Sequence, residues 1–122
     1  MDKSQLPFLS ATELGSLIKS REVSPVEATE AYLERIPQID GKLNSYITVT
    51  PDRALADAKK AEQEIVSGKY RGPMHGVPIA VKDQMYTKGI LTTGGSTILK
   101  DFVPGEDATV ISNLNDAGAV LL

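Results

Sequence analysis

The last third of the chain has the order strand, helix, strand, and this order constrains the fold more than any other feature. Residues 77–81 (VPIAV) form a short apolar run that predicts a buried strand. We expect Asp107 to cap a following helix that Gly118 ends, and AVLL at 119–122 predicts a second strand. Because two strands joined by a helix lie parallel in a sheet covered by helices, this pattern predicts an α/β fold. The expected apolar stripe of the helix consists of Val110, Ile111, Leu114 and Ala117.

Helix-start signals occur three times in the first half of the chain. SATE at 10–13 and SPVE at 24–27 are capping boxes, in which a serine and a glutamate three residues later bind each other's backbone N–H groups. Thr50-Pro51 is a third start, because proline is favoured at the first helical position. The expected apolar faces of the three helices are Leu14, Leu17 and Ile18; Val26, Thr29, Leu33 and Ile36; and Ala54, Leu55, Ala58, Ala61, Glu62 and Ile65.

The ends of these helices are predicted from proline and glycine. Pro37 and Gly41 are expected to end the second helix, and Gly68 is expected to end the third. SYITVT at 45–50 is rich in β-branched and aromatic residues and predicts a short strand or extended segment. Pro78 cannot donate to a sheet, so we expect it at the beginning of strand pairing.

The chain has the length of one domain, 122 residues. We predict N-terminal helices followed by the first strands and the crossover helix of a mixed sheet covered by helices. Residues 1–70 form a mainly helical entry, and residues 71–122 form the start of the α/β core. Because the second strand pattern reaches the last residue, we expect these residues to be the front of a longer domain.

Composition excludes several classes of function. Thirteen basic and 16 acidic residues give a net charge of −3, so a nucleic-acid partner is not expected. The chain has no cysteine and one histidine, His75, so neither a metal site nor a Ser-His-Asp triad is predicted. TTGGS at 92–96 lacks the spacing of a phosphate loop, and no cofactor is expected. No apolar run predicts a membrane span or a signal peptide, which favours a cytoplasmic protein.

Lys82 follows the predicted strand with no polar residue before it. A buried amine loses its proton more easily, so such a lysine can be a proton acceptor or a Schiff-base nucleophile. Alternatively the amine stays charged and binds loop carbonyls or Asp83, and the position alone favours this structural role. His75 is also interpreted as structural, and the glycines of 92–96 as a requirement of a tight turn or a close approach.

Three blocks in this order resemble the amidase signature family, which hydrolyses carboxamides. They are GVPIAVKD at 76–83, KGILTTGGS at 88–96 and DATVISNLNDAGAVLL at 107–122. The helical segment SREVSPVEATEAYLERI at 20–36 is similar to the N-terminal region of the family. The family includes the A subunit of glutamyl-tRNA(Gln) amidotransferase, so the resemblance implies an amidase-signature fold that is incomplete in this chain.

The resemblance also implies a catalytic role for Lys82. The family uses a serine nucleophile, a second serine beside a cis peptide bond, and a lysine, which by direct match is Lys82. The lysine takes the proton of the nucleophile through the bridging serine. Both serines belong to a GGSSGGS-type signature that this sequence lacks. The resemblance therefore implies that the chain alone is inactive.

Three functions follow from the resemblance. The favoured one is the N-terminal fragment of an amidase that cleaves a small-molecule amide when complete. The second is the A subunit of the amidotransferase, which requires partner subunits and ATP. The third is a non-catalytic binding module derived from the family. Expected partners are a second copy of the chain or the remaining part of the enzyme, with neither nucleic acid nor membrane.

Overall fold

A computed structural model describes residues 2–122 and confirms an α/β fold with helices at its N-terminal side. Within these residues, four α-helices and two strands lie in the order helix, helix, helix, strand, helix, strand, with a short 3₁₀ helix before the first α-helix and another before the fourth. The bounds are 3₁₀ Lys3–Phe8, α1 Ala11–Ser20, α2 Pro25–Leu43, α3 Pro51–Val66, β1 Pro78–Ile79, 3₁₀ Thr97–Leu99, α4 Thr109–Asp116 and β2 Val120–Leu121.

The two strands pair in parallel, as the strand, helix, strand order predicts. Pro78 lies opposite Val120, so the prediction that pairing begins at this proline is confirmed. The N–H of Val120 donates to the Val77 carbonyl (3.0 Å), and the N–H of Leu122 donates to the Ile79 carbonyl (2.9 Å). Because the carbonyls of these alternate residues face β2, the nitrogen of Pro78 faces the opposite edge. Its missing donor therefore removes no hydrogen bond from this ladder.

β1 is shorter than the predicted strand at 77–81. It ends at Ile79, and the chain then turns over residues 82–85. The N–H groups of Gln84 (2.8 Å) and Met85 (3.0 Å) both donate to the carbonyl of Lys82. Lys82 consequently belongs to a turn beyond the sheet instead of the end of a buried strand.

The helices begin where the capping boxes predict. Ser10 accepts a hydrogen bond from the N–H of Glu13, and Ser24 accepts one from the N–H of Glu27, while each glutamate binds the backbone of its serine in return. These bonds satisfy N–H groups that the first helical turn leaves free. α3 begins at Pro51 without a side-chain cap.

α2 packs between two hydrophobic clusters. The first cluster contains Leu6, Leu14, Ile18, Val23, Ala28, Ala31, Ile65 and Val77. The second contains Ala54, Ala58, Val120 and Leu122, with Val26, Leu33 and Ile36 packed against it. Most residues of the apolar faces predicted for α1, α2 and α3 therefore form the core, whereas Leu55 and Glu62 are half-buried and belong to neither cluster. In α4 only Ile111 is buried, and Val110 is exposed, which corrects its predicted place in the apolar stripe.

Neither Pro37 nor Gly41 ends α2, so this prediction is wrong. The helix continues to Asn44, which closes it in a left-handed conformation (φ 53°). Pro37 lies on the accessible side of the helix and removes one helical hydrogen bond. At the end of the helix, the Asp40 carboxylate accepts the N–H of Ser45 (2.8 Å).

Residues 45–50 form no strand within the described part of the chain. Among these residues, only Thr50 makes a hydrogen bond to the sheet: its N–H donates to the carbonyl of Leu122 (2.7 Å). The segment therefore lies against the end of β2 and not alongside it.

Asp107 does not cap α4, which corrects a further prediction. The N-cap is Ala108, and no side chain binds the first turn. The Asp107 carboxylate instead accepts the N–H of Lys88 (2.7 Å) and the side-chain amide of Asn115 (3.2 Å). A long-range partner thus replaces the local cap.

Every helix within residues 2–122 is too short or too polar to cross a lipid bilayer.

We predict that Gly118→Ala destabilises the protein. Gly118 has a φ of +78°, and an added Cβ would lie 2.4 Å from the Cδ2 atom of His75. Backbone strain and overpacking together should lower the free energy of unfolding by about 2 kcal/mol or more. Gly41→Ala is the control, because Gly41 lies within α2 and a Cβ added there would meet nothing within 4 Å. This substitution should raise the free energy of unfolding by about 0.5 to 1 kcal/mol. Urea denaturation measures both, and equal effects would contradict the prediction.

Candidate functional site

A cleft of about 340 Å³ lies at the carboxyl end of the parallel strands. Ligands of open α/β sheets bind in this position, and the volume suits a small organic molecule. Its walls come from residues 44–53, residues 81–95 and the end of β2 at 121–122. The sheet thus joins segments that are far apart in the sequence around one space.

Lys82 lines this cleft, as a residue at the strand end should. It is exposed, so the prediction of a buried amine is wrong. The reason is the early end of β1, which places Lys82 in the turn. None of the ion pairs within residues 2–122 includes Lys82, so the expected pairing with Asp83 is also absent.

Asp83 does not pair with Lys82 but binds the glycine-rich loop. Its carboxylate oxygens accept the N–H of Thr93 (3.1 Å to each) and the Thr93 hydroxyl. Its backbone carbonyl accepts the N–H of Gly94. We call this group of Asp83, Thr93 and Gly94 the Asp83–Thr93 clamp. It joins the turn that carries Lys82 to the loop at 92–96.

The glycines of this loop meet a backbone requirement, as predicted. Gly94 and Gly95 have φ angles of +58° and +69°, a region that favours glycine. The N–H of Gly95 donates to the Thr93 hydroxyl oxygen (3.1 Å). Since the N–H groups of both glycines are bound within the clamp and its loop, neither is free to cradle a ligand phosphate.

Part of the cleft wall is apolar. Ile47 is 60% exposed although it lines the cleft, together with Leu91. Tyr46 is half-buried, and burial raises the pKa of its phenol, with the Asp40 carboxylate adding to the rise. The wall therefore presents apolar surface and a neutral hydroxyl group.

A second, smaller cavity of about 140 Å³ is lined in part by His75. The ring is buried, and its Nδ1 accepts the N–H of Arg71 (3.1 Å). The proton of a neutral ring therefore lies on Nε2, which is 3.1 Å from a carboxylate oxygen of Glu64. Burial lowers the pKa of His75, against the opposing effect of the Glu64 carboxylate. The Arg71 guanidinium, 2.6 Å away, holds the pKa of Glu64 below its usual range.

Two features of these cavities are not predicted by the sequence. Asp83 is expected there only as a partner for Lys82, yet it binds Thr93. Glu64 lies outside the apolar face predicted for the third helix, yet it contacts His75. A hydroxyl residue before a glycine pair is the only local signal for the clamp. Within residues 2–122, no three His, Asp or Glu side chains are grouped so that they could hold a metal ion.

Known proteins are similar to this chain in sequence. A sequence model of the Amidase family matches residues 27–122. The putative amidase AmiD of Mycobacterium tuberculosis is 44% identical over 122 residues, which is 100% of this chain and 26% of the relative. In Geobacter sulfurreducens, the A subunit of glutamyl-tRNA(Gln) amidotransferase is 50% identical over 114 residues, covering 93% of this chain and 23% of the relative. The chain thus spans about a quarter of the length of these relatives.

The fold is also similar to a solved structure. Peptide amidase from Stenotrophomonas maltophilia superposes with a TM-score of 0.88 at 34% identity, over 96% of this chain and 25% of that chain. The helices and the parallel strands therefore occur in an arrangement that is known from a crystal structure.

We predict that the protein loses stability as the pH falls below about 6.5. An unfolded histidine takes up a proton near its usual pKa of 6.5, whereas His75 in the folded protein has a lowered pKa and stays neutral. Because the unfolded state then binds more protons, acid favours unfolding. Urea denaturation between about pH 7.5 and about pH 5 measures this slope.

His75→Gln is the matched control, because glutamine keeps a hydrogen-bond acceptor but does not titrate. Its free energy of unfolding should depend less on pH in this window. Glu64 has a lowered pKa, so its contribution is present above its usual value of 4.5 and is lost only at lower pH. Equal slopes in the wild-type and His75→Gln proteins would contradict the prediction.

Proposed function

Because this chain belongs to the amidase signature family, we propose that it forms the part of a carboxamide hydrolase that supplies the catalytic lysine, Lys82. One observation carries the proposal. Lys82 lies at the carboxyl end of the parallel strands, on a cleft, and its amine has no ionic partner within residues 2–122. An amine without a partner in that position is available to a group outside the described residues.

The role of the amine is proton transfer. A serine of the complete protein attacks the carbonyl carbon of the amide, and its proton passes through a second serine to Lys82. The C–N bond then breaks, the proton goes to the leaving nitrogen, and water releases the acyl group from the serine. The described residues contribute the proton acceptor and the cleft floor, while both serines come from the rest of the protein.

Because Lys82 is exposed, its proposed role requires the rest of the complete protein to cover the cleft. A proton acceptor in a hydrolase works best where bulk water is excluded from the reacting groups. The apolar side chains at the cleft, among them the exposed Ile47, offer a surface for such a cover. The relatives have about three quarters of their length outside the aligned part, which is enough to cover the cleft.

The substrate proposed for the complete protein is a small-molecule carboxamide. The cleft volume of about 340 Å³ is in the range of pockets for small ligands. A half-buried Tyr46 hydroxyl and apolar neighbours line one side.

A second candidate is the A subunit of an amidotransferase that acts on glutamyl-tRNA(Gln). The 50% identity to the Geobacter sulfurreducens subunit favours it, since this exceeds the 44% identity to the putative amidase. This function keeps Lys82 but adds partner subunits and ATP. Ammonia release from simple amides by the purified protein alone would favour the amidase.

The third candidate is a binding module. Within residues 2–122 the sheet has only two strands, so each strand has an edge without a partner strand. Such an edge can bind another strand, from a second copy or from the rest of the enzyme. A monodisperse protein of 122 residues that unfolds cooperatively would favour a module, whereas aggregation would favour a fragment.

We predict that Lys82→Ala reduces amide hydrolysis by the complete enzyme about 10² to 10⁴-fold, because a general base is lost. Ammonia release from a simple amide such as benzamide measures the rate. Lys100→Ala is the control, since Lys100 is exposed and does not line the cleft. Nearly normal turnover of Lys82→Ala would remove Lys82 from the mechanism.

We also predict that the chain of 122 residues releases no ammonia above the uncatalysed rate. The sequence lacks the double-serine segment that the nucleophile requires. Activity in this chain alone would show that a different residue attacks the amide.

A further inference from the structure

The backbone on both sides of Lys82 is held by hydrogen bonds. Before it, the Ile79 carbonyl accepts the N–H of Leu122 in the sheet (2.9 Å). At Lys82 itself, the carbonyl accepts two N–H groups and closes the turn at 82–85. After it, Asp83 belongs to the Asp83–Thr93 clamp. The Lys82 side chain, which has no ionic partner within residues 2–122, therefore extends from a main chain that hydrogen bonds hold in place.

The clamp is a charge-assisted contact in a shielded place. Thr93 is buried, with 7% of its surface exposed, and Asp83 is half-buried. The carboxylate accepts a hydroxyl and an N–H from Thr93, and no cation pairs with it within residues 2–122. Hydrogen bonds to an ionised acceptor are about twice as strong as those between neutral groups.

The clamp is also the only hydrogen-bonded link between the turn at 82–85 and the loop at 92–96 within the described residues. Every such bond runs to Asp83, from Thr93 to its side chain and from Gly94 to its carbonyl. The loop binds other parts of the chain elsewhere, as when the N–H of Thr92 donates to the carbonyl of Phe102. Without the clamp, no hydrogen bond within the described residues would hold the turn to the loop.

We propose that Asp83 and Thr93 are positioning residues for Lys82. By fixing the turn to the glycine-rich loop, they hold the main chain from which the Lys82 amine reaches the reacting groups. The inference rests on the proposed function, because it gives the clamp a purpose only if Lys82 transfers a proton. Proton transfer needs this accuracy, since a displacement of about 1 Å can lower a rate about 10²-fold.

The test uses Thr93→Val in the complete enzyme. Valine keeps the shape of threonine but its side chain cannot donate to Asp83. We expect kcat for a simple amide to fall about 10 to 100-fold, with KM changed less than about 3-fold, because substrate binding does not involve the hydroxyl. Thr93→Ser restores the donor and should recover most of kcat. Asp83→Asn keeps an acceptor oxygen without the charge, so its kcat should lie between those of Thr93→Val and Thr93→Ser.

A purely structural clamp would give different results. Thr97→Val is the matched control, since Thr97 is exposed and makes no hydrogen bond to the clamp, and its kcat should be unchanged. In a Lys82→Ala background, Thr93→Val should cause no further loss, because a positioning residue acts only through the group it positions. A further loss equal to that in the wild-type background would overturn the inference.

Failure of this inference and failure of the proposed function are distinguishable. If Lys82→Ala keeps normal turnover, the proposed function is wrong. If Lys82→Ala is inactive but Thr93→Val keeps a normal kcat, only the positioning role is wrong. If Thr93→Val fails to fold, as judged by circular dichroism, the kcat values of Asp83→Asn and Asp83→Glu are compared with that of the wild-type protein instead. A normal kcat in Asp83→Asn would then overturn the inference.

Discussion

The pairing of β1 with β2 is the interaction on which the rest of the structure depends. Its hydrogen bonds are few, but Val120 and Leu122 also pack on Ala54 and Ala58 of α3. The carbonyl of Leu122 in turn receives the N–H of Thr50. One parallel pair therefore brings the first turn of α3 and the turn beyond β1 to the same cleft, and the Asp83–Thr93 clamp joins the glycine-rich loop to that turn.

Features that depend on neighbouring residues are predictable from the sequence. The capping boxes at 10–13 and 24–27 involve bonds across three residues, and α1 and α2 begin where these boxes place them. The wrong predictions concern longer distances. Pro37 lies within α2 because the capping at Asn44 and the packing of the helix outweigh its local cost, and Asp107 binds Lys88, 19 residues away.

The candidate site is predictable in position but not in environment. The family resemblance selects Lys82, and the structure places it on a cleft at the strand ends. The apolar run before Lys82 predicts a buried position, but the last residues of the run leave the sheet, and hydrophobicity alone does not show where strand pairing stops. The contact between Asp83 and Thr93 spans 10 positions, so no periodic pattern reveals it.

The position of α2 between two clusters also limits how the chain can change in length. Ala28 and Ala31 pack into the first cluster, and Val26 and Leu33 pack against the second. A single inserted residue between them would rotate the following part of the helix by about 100° and move both apolar faces out of register at once. The number of residues in this half of α2 is therefore fixed by the packing of its two faces.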